Sequence, residues 1–207
     1  MRSPAQAKKP SSPENLDKLL AEIRACRICE KYLPHGVRPI VRASATAKLC
    51  ISAQAPGLRV HETGLSFNDP SGDRLRDWLG LDRETFYDES RVAIVGIGFC
   101  FPGYTETGAD KPPRPECAPT WHKRLFAALP SFPLTLAVGT YALAWHLGGR
   151  GKSNMTETVR AWREYGPRLM PLPHPSWRNN GWLKKNPWFE TELLPELRKR
   201  VRRALRS

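Results

Sequence analysis

Six consecutive residues, His174-Pro175-Ser176-Trp177-Arg178-Asn179, bring an imidazole, a hydroxyl, an indole, a guanidinium and an amide into one short segment. An imidazole N–H can stabilise negative charge growing on a leaving group. Ser176, Arg178 and Asn179 carry donors suited to phosphate oxygens or flanking nucleotides. Trp177 offers a wedge or a stacking face, or else an indole for the core. Pro173 and Pro175 fix the backbone on both sides of His174, which suits a preorganised loop. A second segment, Ala53-Gln54-Ala55-Pro56-Gly57, is small and rich in accessible backbone. Gln54 can hold a water or contact a ligand there, but an amide cannot serve as a general base.

Both segments follow short apolar runs, Leu49-Cys50-Ile51-Ser52 and Leu169-Met170-Pro171-Leu172. Each run reads as a buried strand, and strands of this kind deliver their following loops to the ligand crevice of an open α/β sheet. Strands are expected over Lys48–Gln54, Arg91–Gly98, Leu134–Val138 and Arg168–Leu172. Helices are expected between them. The first runs from Glu14 to Cys26, capped by Ser12 with Pro13 in its first turn. A second opens at Ser71 or Asp73, runs through Trp78 and ends at Gly80. Others cover Pro119–Leu129, Thr140–Leu147, Asn154–Tyr165 and the stretch from Pro187 to the end. Residues from Gln54 to Gly72, and from Phe101 to Ala118, read as loops. Alternating strands and helices predict an α/β fold: a three-layer α/β/α sandwich around a central four-stranded, mainly parallel sheet.

The chain has 207 residues, of which 40% are hydrophobic, enough for one folded domain over 14–207 behind a flexible basic leader at 1–13. Lys and Arg number 33 against 20 Asp and Glu, a net charge of +13. Such an excess points to a polyanion, nucleic acid before an anionic membrane surface. No apolar run approaches a membrane span, and the start lacks the apolar core of a secretory signal. A cytoplasmic, bacterial-type protein is expected, with no membrane partner; no protein partner is inferred. The basic end, Arg198 to Arg206, reads as a solvated helix face or a phosphate-contacting one.

Five cysteines make an odd count that does not suggest a disulfide framework. Cys26 and Cys29 form a CxxC pair, while Cys100 and Cys117 follow the second strand 17 positions apart. Four thiolates suit an iron–sulfur cluster or structural zinc; buried thiols without metal are the third reading. Cys50, within the first strand, reads as a small core residue.

Together these segments resemble the uracil-DNA glycosylase superfamily, over roughly Leu16 to Arg198. The stretch from Gln54 through Gly57, Thr63-Gly64 and Phe67 to Gly72 is similar to the first signature loop of its iron–sulfur (family 4) branch. The Pro-Leu-Pro-His-Pro-Ser string resembles the second, and the match is nearest to a little-characterised bacterial group. The resemblance implies a repair glycosylase that flips a base out of DNA and hydrolyses its N-glycosidic bond. It implies His174 and Gln54 as catalytic residues, with His174 stabilising the leaving base. Phe67 stacks on that base, or is an ordinary core Phe. Ala55, Pro56, Gly57 and Asn68 complete the base site. Ser176, Trp177, Arg178 and Asn179 meet the DNA. Cys26, Cys29, Cys100 and Cys117 hold a [4Fe–4S] cluster, with structural zinc or no metal as alternatives.

There are two departures from the family pattern. The first loop lacks an acidic residue for water, which predicts a slower enzyme or help from Glu62 or Asp69. The uracil-reading Asn, four positions before the third cysteine, is replaced by Gly96, with Asn68 as its candidate substitute. The partner expected is therefore DNA carrying uracil or another damaged base. A non-catalytic or covalent binder of damaged DNA or abasic sites on the same fold is the alternative. A zinc-stapled module for RNA or lipid is a third reading.

Overall fold

The structure is a computed structural model that describes residues 15–207. The expected leader, and the Ser12 and Pro13 helix start, lie outside the described residues. The first helix, α1 (Leu16–Arg24), is capped instead by Asn15, whose side chain accepts from the Lys18 N–H. It stops short of the CxxC pair.

Four strands form one all-parallel sheet: β1 (Leu49–Ala53), β2 (Val92–Gly96), β3 (Leu134–Val138) and β4 (Leu169–Leu172), in the order β2-β1-β3-β4. Their apolar runs are continuous because helices cover both faces, so neither side can be polar. On one face Cys50, Ala93 and Val95 pack with Leu19, Leu20 and Ile23 of α1 and with Trp121 and Leu125 of α5 (Cys117–Ala128). On the other, Leu49, Ile51, Val92 and Ile94 pack with the remaining helices. These include α3 (Pro70–Leu79), α6 (Thr140–Leu147) and the basic C-terminal α9 (Leu194–Arg206). The sheet is thus the middle layer of an α/β/α sandwich. Pro171 is tolerated in β4 because that strand lies at the sheet edge, where a missing N–H costs no central ladder bond.

The strand order places the site. From β1 the chain crosses one way to β2, and from β3 the other way to β4, so a crevice opens between the carboxyl ends of β1 and β3. Several short helices line its surroundings that the sequence pattern did not suggest: α2 (Leu58–Thr63), α4 (Arg83–Tyr87) and α8 (Asn180–Lys185). Two others change their winding along the way: α7 covers Met155–Arg160 and is followed by a 3-10 turn at Trp162–Tyr165, while a π-helical stretch at Phe189–Leu193 runs directly into α9, so the last helix starts close to the expected Pro187. Asn154 caps α7 as expected, accepting from the Glu157 N–H at 2.9 Å. No helix among the described residues is long and apolar enough to cross a membrane.

Candidate functional site

The loops after β1 and β4 meet in one cleft of about 490 Å³ at the carboxyl edge of the sheet, a size suited to a small organic ligand. Gln54, Ala55, Pro56 and Gly57 form one wall. His174, Pro175, Ser176, Trp177 and Arg178 form the other, and Phe67 lines the cleft between them with Asp69, Ser71 and Arg74 from the start of α3.

His174 is held from behind. Gly139, at the end of β3, has a φ of +80°, and a Cβ there would lie 3.4 Å from the Cβ of His174. A side chain at that position would therefore be strained by the backbone conformation, while its Cβ would sit in ordinary contact with His174. Asn179 donates to the His174 carbonyl at 2.7 Å, and Arg74 donates to the Ser176 carbonyl at 3.1 Å. Burial lowers the His174 pKa below the usual imidazole value, against a smaller upward pull from Asp69. The ring is thus held neutral at neutral pH, with one N–H to give and no charge to neutralise.

Phe67 is the one non-glycine described residue in the left-handed region, with φ +55°. Several contacts hold that conformation. Its carbonyl accepts from the Tyr87 hydroxyl at 3.1 Å and from Arg76 at 3.4 Å. Gly72 passes so close that a Cβ on it would lie 1.7 Å from the same carbonyl oxygen. The ring stands edge-on to Phe86 at 6.2 Å while still lining the cleft. It is both anchored to the core and available to a ligand, so the two readings of Phe67 are compatible.

The remaining sequence expectations divide. Trp177 is 69% exposed, which excludes the packed-core reading; Arg178 lies over its ring at 5.4 Å. Asn68 does not line the cleft: its side-chain oxygen accepts from Arg83 at 3.2 Å, which draws it away. Asn179 is also absent from the lining, since its amide is spent on His174, and it braces the loop instead of facing a ligand. Glu62 is exposed on α2 and lies outside the cleft. Asp69 lines the cleft but caps α3, accepting from the Gly72 N–H at 2.8 Å. Gly96 lines the cleft as well, and a Cβ there would come within 2.5 Å of the Gly98 carbonyl, so no base-reading side chain fits at that position. Gln54 donates to the Lys111 carbonyl at 3.2 Å, tying the first loop to the segment before α5. That segment brings in Asp110, a carboxylate that sequence reasoning missed.

A second cavity lies on the α1 and α5 side. Cys26, Cys29, Cys100 and Cys117 all line it, with Arg114, Glu116, Phe99 and Trp121. All five cysteines are free thiols. Burial pushes the Cys100 thiol up to about 11 and Cys117 to about 12, with smaller upward contributions from neighbouring cysteines. Cys50 is fully buried in β1, and its thiol is pushed up to about 12 by burial alone. Among the described residues, no group of three or more His, Cys, Asp or Glu side chains could hold a metal ion. A four-iron cluster makes a different demand: each thiolate binds a separate iron, so the sulfurs surround a cavity without converging on one point. Four cysteines around one cavity fit that demand.

The family model described as the uracil DNA glycosylase superfamily matches residues 41–198. The match spans the sheet and the cleft-lining loops.

Proposed function

The chain belongs to the uracil-DNA glycosylase superfamily, and on that footing we propose that it is a DNA repair glycosylase that flips a deaminated base into the β1/β3 cleft and hydrolyses its N-glycosidic bond. The observation that carries this reading is the convergence of His174, Phe67 and the Gln54-Ala55-Pro56-Gly57 loop on one cavity, with Trp177 and Arg178 at its rim.

The chemistry follows from those groups. A base leaving the stack needs an aromatic face, and Phe67 supplies it. As the glycosidic bond breaks, its electron pair moves onto the base and positive charge grows on the sugar. The neutral His174 imidazole donates its N–H to a base oxygen and so stabilises the anion. The strand enters past Ser176, Trp177 and Arg178, where the guanidinium meets phosphate and the exposed indole fills the gap left by the flipped base. With glycine at position 96 and Asn68 turned away, the pocket lacks the amide that reads uracil elsewhere in the family. Deaminated bases other than uracil therefore belong among the substrates.

Incubation with oligonucleotides carrying uracil, hypoxanthine or xanthine, single- and double-stranded, followed by chromatography of the small molecules, tests the reading. Free base from at least one substrate is expected. No free base from any of these substrates would refute it.

We further propose that Cys26, Cys29, Cys100 and Cys117 hold a [4Fe–4S] cluster with a structural role. It would tie the end of α1 to the start of α5. Anaerobically purified protein is expected to be brown, and Cys100→Ala to remove that visible absorption. Colourless wild-type protein without bound iron would rule the cluster out.

A further inference from the structure

Asp110 reaches the cleft from a part of the chain far from either signature loop. The segment Gly103–Lys111 folds back on itself: Tyr104 and Asp110 pair as an antiparallel bridge, Thr105 donates to the Ala109 carbonyl at 2.7 Å, and Lys111 to that of Gly103 at 2.9 Å. This small hairpin lies against the first loop. A Cβ on Gly57 would stand 3.7 Å from Asp110 Oδ2, so the carboxylate hangs over that loop. The Gln54 amide clasps the next residue of the hairpin at Lys111. The one catalytic group the first loop lacks, a carboxylate, is thus delivered to it from outside, and the glutamine that stands in the loop secures the delivery.

Resting on the glycosylase reading above, we propose that Asp110 is the carboxylate that holds and deprotonates the attacking water. The glycosidic bond breaks with its electron pair leaving on the base. The water oxygen bonds to the sugar carbon, its proton passes to Asp110, and His174 steadies the base anion. The proton then moves through solvent to the released base, and the carboxylate is restored. The position agrees with this role. Asp110 is exposed in the free protein, where water reaches it, while the cleft walls desolvate it enough to raise its pKa against the pull of Arg178. A raised carboxylate is a better base than an ordinary one.

The test compares wild type with Asp110→Asn in two assays. One is turnover on the oligonucleotide whose base the wild type releases. The other is binding to the same strand carrying the uncleavable 2′-fluoro analogue. Because Asp110 is exposed, the substitution leaves the fold standing. The expected result is a fall in kcat of about 100-fold, with the Kd for the analogue within about threefold. A kcat within about threefold of wild type overturns the proposal and leaves the glycosylase reading intact. So does a weakened Kd with unchanged kcat, which would make Asp110 a DNA contact. A wild type that releases no base from any oligonucleotide overturns the glycosylase reading itself, and Asp110's role with it.

Discussion

Replacing His174 with alanine is expected to slow base release by about 100- to 1000-fold, the loss typical of deleting one preorganised donor to a developing anion. In the proposed role the imidazole makes this one contact. Gly139 backs its Cβ, Asn179 holds its carbonyl, and burial keeps the ring neutral. Removing it leaves Phe67 and the rim residues in place, so binding to an uncleavable strand should change little. Single-turnover base release alongside a binding titration separates the two effects. An unchanged rate would mean that the leaving base is stabilised by some other group. A parallel loss of rate and binding would make His174 a uniform binding contact.

The second large effect is expected at Gly72. A Cβ there would overlap the Phe67 carbonyl, at 1.7 Å, and lie 2.9 Å from the Phe67 Cβ. The nearest atoms are backbone, not the far end of a flexible side chain, so the chain itself must shift. Phe67 cannot give way cheaply, because its left-handed conformation depends on Tyr87 and Arg76 gripping that same carbonyl. Gly72→Ala should therefore destabilise the protein by about 3–5 kcal/mol and lower the thermal midpoint by roughly 10 °C. It should also displace the stacking ring, so residual folded protein should bind flipped-base analogues poorly. A calorimetric midpoint within about 2 °C of wild type would show that the turn at Phe67 is not held as described.

Much of the frame is legible in the chain because buried parallel strands are written as unbroken apolar runs, and all four runs became strands. The His174 loop was legible because it follows such a run directly, whereas Phe67 was singled out by the family resemblance and not by its spacing. The side chains around them were less so. Asn68 and Asn179 have the same amide, but one is pulled aside by Arg83 and the other is consumed by the His174 carbonyl, and neither partner is evident from spacing. The short helices α2, α4 and α8 have too few residues to show a period; their existence depends on tertiary packing. Asp110 was invisible for a related reason. It lies 56 positions beyond Gln54, and only the folded hairpin, clasped by Gln54, brings it above Gly57. The first loop lacks a carboxylate of its own in sequence, and the carboxylate beside it in the fold comes from another part of the chain.

The most direct test of the cleft's assignment is a count of free base released per protein molecule with substrate in large excess. A glycosylase gives many equivalents, rising linearly with time at early points, and this is the expected result. A single equivalent with the protein left on the DNA, or no base at all, would contradict it and make the cleft a grip for damaged DNA instead of a site of turnover.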